Sequence, residues 1–250
     1  MPKMITKRLR IFAGPNGSGK STLFEEFSKN YPTGYFINAD YIENVIETKG
    51  YINLDDYKIK ATQDDLQLFL EKEEPASLIK KAEENGYKIT VKIRENLIVV
   101  PSKETHSYES ALTAAFLREK LMRNGESFCF ETVMSHASKI KEIEEAKKTG
   151  YKTYLYFICV DDLNVNISRI ENRIKKGGHK VLTEKVISRY AKTLENLCPA
   201  ISVCDKSYLF DNSGEILTLI AEIQEDSSLV LHVDSKKLPC WFNRYVLKNK

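Results

Sequence analysis

Gly14-Pro15-Asn16-Gly17-Ser18-Gly19-Lys20-Ser21 follows the short apolar run Leu9 to Ala13 and leads into a stretch where Leu23 and Phe27 recur at helical spacing. The order is strand, glycine-rich turn, helix. The turn itself fits the pattern G-x-x-x-x-G-K-[ST], in which each element has a physical task. The glycines let consecutive backbone N–H groups turn inward around phosphate oxygens, and the amino end of the following helix adds a partial positive charge. Lys20 is placed to reach the β- and γ-phosphates of a nucleotide, and the Ser21 hydroxyl to take one position on a Mg²⁺ ion that bridges them. The loop from Gly14 through Thr22 is therefore the candidate cofactor-binding stretch, with ATP and Mg²⁺ as the expected cofactors.

Working outward, the same alternation recurs. Gly34 to Ile37 reads as a second short strand, and Asn38-Ala39-Asp40 leads into a helical pattern at Ile42, Val45 and Ile46. A long helix through Ala111, Ala115, Leu117 and Leu121 stops near Asn124-Gly125, and the strand Ser127 to Phe130 ends at Glu131. A helix through Ile140, Ile143 and Ala146, the buried strand Tyr154 to Val160, a helix with Arg169 and Arg173, a helix from about Glu184 to Leu197 and a last core strand Ser207 to Phe210 complete the series. Such alternation predicts an α/β fold, a P-loop kinase-like three-layer sandwich with a mostly parallel sheet. Ligands of these sheets bind at the carboxyl ends of the strands, where Gly14, Asp40, Glu131, Asp161 and Asp211 fall.

The segment from about Tyr51 to Thr105 breaks the rhythm. It offers a helix from Ser77 to Asn85 and a β-hairpin, Lys88 to Ile93 against Leu97 to Val100, and reads as a small α+β insertion in a single domain spanning 1–250. Its Glu71-Lys72-Glu73-Glu74 run reads as a solvated face.

The bulk numbers bound the partners. With 42% apolar and 29% charged residues the chain has ordinary globular composition. Its 38 basic and 35 acidic residues leave a formal charge of +3, which supplies no broad basic field, so nucleic acid is disfavoured as a partner. The longest apolar run, Tyr154 to Val160, is far short of the roughly 20 residues that cross a bilayer. No signal-peptide core follows the basic residues near Met1, so no membrane partner and a cytoplasmic location are expected. The five cysteines show no metal-ligand spacing and read as reduced, structural thiols.

Four groups outside the loop are candidates for chemistry. Asp40, at the tip of the second strand, could accept the proton of an attacking hydroxyl, or Asn38-Ala39-Asp40 could simply cap the next helix. Glu131 could join Ser21 in holding Mg²⁺, or bind a substrate hydroxyl, or cap the turn into Thr132. Asp161 and Asp162 look like a cap of the helix that follows them. Arg169 and Arg173, four residues apart on one helical face, could stabilise charge on a moving phosphoryl group or be ordinary solvated residues. His179, in the Gly177-Gly178-His179 turn, could touch phosphate or lie in a surface loop.

With these residues in place the chain resembles the zeta toxin family of P-loop kinases and its UDP-N-acetylglucosamine kinase-like relatives. The resemblance is carried by Gly14 to Thr22, Asn38-Ala39-Asp40, Phe128 to Thr132, Arg169 to Arg173, Gly177-Gly178-His179-Lys180-Val181, Arg189-Tyr190 and Asp211-Asn212-Ser213. It implies an ATP-dependent kinase acting on a hydroxyl of a small molecule, with a nucleotide sugar as one acceptor class. It further implies Asp40 as base, Glu131 and Thr132 at the substrate site, and Arg169 and Arg173 in a lid, with Lys20 also serving the transfer. The insertion lies where such kinases build the acceptor pocket, so the acceptor can differ. An antitoxin partner is compatible with the resemblance, and one chain does not display it. The competing readings are an ATP-dependent regulatory module with weak or no hydrolysis and a nucleic-acid 5′-end kinase.

Overall fold

Leu9, Ile11, Phe12 and Ala13 are fully buried, and Arg8–Ala13 forms β1, an interior strand of the main sheet. The computed structural model describes residues 6–101, 107–177 and 182–248. After β1 come α1 (Lys20–Asn30), β2 (Tyr35–Ile37), α2 (Ala39–Lys49), β3 (Tyr51–Asn53), α3 (Gln63–Leu70), α4 (Glu73–Glu84), β4 (Lys92–Arg94), β5 (Leu97–Val99) and α5 (Ser107–Asn124). There follow β6 (Phe128–Thr132), α6 (Ser138–Lys148), β7 (Lys152–Cys159), α7 (Leu163–Lys175), α8 (Thr183–Glu195), α9 (Leu197–Val203), β8 (Lys206–Asp211), β9 (Thr218–Ile223) and β10 (Leu229–Leu231). The chain divides into two compact units, residues 1–33 with 129–250, and residues 34–128.

The first unit carries the sheet order β10-β9-β8-β7-β1-β6. Strands β1, β7 and β8 run parallel, with Phe12 beside Tyr156 and Tyr156 beside Tyr208 in register. These three rings stack in a row at 4.9 and 5.0 Å, because side chains at one register level share a face of the sheet. Phe24 and Phe27 of α1 meet Phe12 edge-on, which seats that helix on the same face. The buried Arg10 is accommodated over the rings of Phe27 and Tyr154. Beyond β8 the sheet continues where the sequence reading ended it. Strands β9 and β10 add antiparallel pairings, since the Asp211 to Gly214 turn sends the chain back instead of into another helix. The single helix expected from Glu184 to Leu197 also breaks into α8 and α9 at Asn196, whose amide donates to the Met134 carbonyl at 2.9 Å.

The second unit holds a three-stranded antiparallel sheet, β3-β5-β4, together with β2 and helices α2 to α5. The hairpin turns at Glu95 and Asn96, with φ of 49° and 60°, the pair of left-handed residues that a two-residue turn matching strand twist requires. Asn96 suits such a position, and its side chain also donates to the Ile59 carbonyl and accepts from the Ala61 N–H. Strand β4 starts four residues later than the pattern predicts, because the Thr90 N–H goes to the Glu109 carboxylate at 3.1 Å instead of to a neighbouring strand. Helix α3, which the pattern did not reveal, begins at a capping box between Thr62 and Asp65.

Candidate phosphate-binding site

The turn after β1 closes tightly on β7. Gly14 has φ +146°, and a Cβ there would lie 2.0 Å from the Ile158 carbonyl oxygen, so no other residue fits. The Ser18 N–H donates to the Pro15 carbonyl at 3.3 Å, and the Leu23 N–H to Gly19 at 3.1 Å begins α1. Gly19 stands at the helix cap position with φ 103°; no side chain caps the helix, and its first turn contains no acidic residue. The first turn of α1 thus has neither a side-chain cap nor an acidic residue of its own, which is what an anion-binding helix start requires. Lys20 is 7% exposed, and its ammonium donates to the Gly14 and Pro15 carbonyls at 2.9 and 2.8 Å, so the charge lies over the loop itself.

Two asparagines fix the outer edge of the loop. Asn166 of α7, wholly buried, donates its amide to the Asn16 carbonyl at 2.7 Å. Asn212, just past β8, donates its amide to the Ser18 carbonyl at 2.8 Å and its backbone N–H to Cys159 at 2.9 Å. A Cβ on Gly19 would fall 2.5 Å from that Asn212 amide, so the second special glycine is also set by close approach. Neither asparagine draws notice from spacing alone. Asn212 stood in a motif of the resemblance, and its place at a strand tip was the only signal of a role.

Arg169 lies against this edge: one guanidinium nitrogen donates to the Asn212 carbonyl at 3.0 Å, and the other terminal nitrogen is buried without a hydrogen-bond partner. Arg173 is exposed one turn further along α7. Arg169, Asn172, Arg173 and Lys176 line a shallow hollow of about 360 Å³. Gly178, His179, Lys180 and Val181, singled out by the sequence, lie outside the described residues. Tyr190 is described, and its hydroxyl donates to the Val160 carbonyl at 2.7 Å. Burial there, with Cys159 beside it, pushes that hydroxyl's pKa up.

The Ser21 hydroxyl donates to the Glu131 carboxylate, with its oxygen 3.1 and 3.0 Å from the two acceptors. The strand tip of β6 and the first turn of α1 are thus joined through the two groups expected to share a metal. Thr132 does other work, accepting the Met134 N–H at 3.0 Å in a turn where Met134 takes φ 59°. Among the described residues no group of three or more His, Cys, Asp or Glu is arranged to hold a metal. Asp162 caps α7 through the Asn164 N–H, whereas Asp161 does not and accepts from the backbone of Cys240 and Trp241. Burial pushes the Cys129, Cys159 and Cys204 thiols up to about 12, as structural thiols should be.

In the second unit, β2 ends at Ile37 and Asn38 caps α2 by accepting the Tyr41 N–H at 3.0 Å. Asp40 therefore sits in the first helical turn rather than at the strand tip, and the cap is already supplied by its neighbour. Its carboxylate is exposed.

A loop of this geometry between parallel β1 and α1, in a mostly parallel sheet with helices, defines a P-loop protein with the kinase-like fold. Over residues 99–218 the chain is zeta-toxin-like, matching the family model described as Zeta toxin; the loop itself precedes the matched stretch. Structures of the AvrRxo1-ORF1:AvrRxo1-ORF2 complex, one with sulphate ions and one with ATP, share the fold at TM-score 0.52 and 16% identity. They match over 92% of this chain and 62% and 61% of theirs. An uncharacterised protein of Haemophilus influenzae is 33% identical over 63 residues, 25% of this chain and 45% of its own length. The chain thus spans less than two thirds of the length of each of these relatives. Among the described residues no helix is long and apolar enough to cross a membrane.

Proposed function

We propose that this protein is an ATP-dependent phosphotransferase that moves the γ-phosphoryl group of ATP to a hydroxyl of a small molecule. The observation that carries the reading is the uncapped start of α1 beneath a buried lysine, with the Ser21–Glu131 pair at its side. That arrangement fits a nucleotide triphosphate and its metal. The glycine cradle admits no side chain, the backbone N–H groups at the uncapped start of α1 and the Lys20 ammonium are donors, and a hydroxyl with one carboxylate is the modest protein share that Mg²⁺ takes when phosphates and water complete its shell. The AvrRxo1-ORF1:-ORF2 complex with ATP, which shares the fold, supports the same nucleotide.

In this reading the loop and Lys20 bind the phosphates, and Ser21 and Glu131 hold Mg²⁺, which assigns Glu131 to metal rather than to the acceptor. ATP with Mg²⁺ supplies the activated phosphoryl group and neutralises its charge. Arg169 and Arg173 would supply positive charge toward the outer phosphates. Asp40 takes the proton from the acceptor hydroxyl; an exposed carboxylate not engaged in capping is available for it. The acceptor is a small hydroxylated metabolite, with nucleotide sugars the first class to examine.

Purified protein and its Asp40→Asn variant, incubated with γ-labelled ATP, Mg²⁺ and a metabolite extract containing nucleotide sugars, give the test. A labelled small molecule made only by the unaltered protein is expected. Absence of any labelled acceptor alongside intact ATP binding would favour a regulatory nucleotide-binding module.

A further inference from the structure

After β10 the chain returns to the carboxyl ends of β7 and β8 and closes a ring of hydrogen bonds there. The two oxygens of Asp161 accept the N–H groups of Cys240 and Trp241, at 2.8 and 2.7 Å. The Trp241 indole N–H donates to Asp211 Oδ1 at 3.0 Å. That same oxygen accepts the Ser213 hydroxyl at 2.9 Å, and the Asp161 N–H returns to the Ser213 oxygen at 2.9 Å. Trp241 is 3% exposed and wedged between Phe157 and Phe242, so the indole cannot swing away without leaving its packing.

The turn held in this ring contains Asn212, the residue whose amide grips the Ser18 carbonyl and lies against Gly19, and whose own carbonyl receives Arg169. A glycine-rich loop has many backbone conformations open to it, and its affinity for phosphate depends on how much of that freedom is removed beforehand. We propose that Trp241 is a positioning residue for the phosphate-binding loop, acting through Asp211 and Asn212 to hold the Ser18–Gly19 backbone in its phosphate-receiving shape. The proposal rests on the nucleotide-binding reading above for its ligand, but the mechanical link stands on its own. Neither Trp241 nor Asp161 is offered as touching the nucleotide.

The first measurement is amide hydrogen exchange on the nucleotide-free protein and its Trp241→Phe variant, which keeps an aromatic ring but loses the N–H donor together with part of the indole's packing. Exchange in segments 14–22 and 209–215 should quicken by up to about tenfold, the worth of one such bond, with β1 and β7 unchanged. ATP affinity should fall by a similar factor. In an Asn212→Ala background Trp241→Phe should add no further loss, since the link is then already cut. Unchanged exchange in both segments overturns the proposal, as do unchanged ATP affinity in Trp241→Phe or fully additive losses with Asn212→Ala. Should Trp241→Phe loosen the whole unit, Asp161→Asn weakens the same ring by its backbone acceptors, and the same local pattern is required of it. Faster exchange at the loop in a protein that binds no ATP in any form would sink the proposed function while leaving the mechanical link in place.

Discussion

Lys20 shows how one side chain can be both expensive and necessary. A nearly buried ammonium tolerates its surroundings here because two loop carbonyls accept from it, and in the proposed function those bonds would be exchanged for phosphate oxygens. Lys20→Ala should therefore weaken ATP binding about 10- to 100-fold, from the loss of charge-assisted hydrogen bonds, with little change in the urea midpoint; calorimetric titration and urea unfolding check the two halves. Glu131 makes a different prediction. Glu131→Gln keeps an acceptor for Ser21 but removes the charge, so the Mg²⁺ concentration for half-maximal phosphoryl transfer should rise about tenfold while ATP binding without Mg²⁺ is unaltered. Equal Mg²⁺ dependence in the variant would return Glu131 to the acceptor side.

The elements explain why the loop has so little latitude. Helix α1 begins on a glycine at φ 103°, pressed against the Asn212 amide, so two independent constraints meet in one residue. Gly19→Ala should cost about 1–3 kcal/mol of unfolding free energy, from a strained φ and a close contact, and should weaken ATP binding as well. Urea unfolding of the variant measures the first. The hairpin between β4 and β5 has a parallel dependence on Asn96, which combines a left-handed φ with hydrogen bonds to the Asp55–Ala61 loop. The strand and helix alternation was plain in the sequence because buried parallel strands are written as apolar runs. Helix α3 was not, since its eight residues are too few for a period to show; β10 was missed because an edge strand of three residues buries little, and β9 because its antiparallel return departs from the strand and helix alternation.

Taken as a whole, the molecule has acid-sensitive joints in both units. Asp65, hydrogen-bonded by Lys120 and by the Thr62 cap, is held down to about 2. For Asp205, burial pushes upward, but hydrogen bonds from the Thr153 N–H and hydroxyl and from Lys147 outweigh it, leaving the carboxyl below its ordinary value. A carboxyl whose folded pKa is depressed adds stability above its unfolded value of 3.8 and loses it as pH falls through the folded one. Asp65→Asn should thus lower unfolding free energy by about 1–2 kcal/mol near neutral pH, allowing for partial exposure of the pair, and the difference should vanish between pH 4 and about 2. Urea titrations across that range test it. What the sequence by itself determined was the glycine loop, the order of strands and helices and the acid at the tip of β6, because chain geometry and burial on a parallel sheet are written locally. What only the tertiary structure decided was the company of that loop: Asn166, Asn212, Asp161 and Trp241 all lie 139 or more residues beyond Thr22. Hydrogen bonds between such distant residues leave no period or spacing in the chain, and only the packing of β7, β8 and the segment after β10 brings them together.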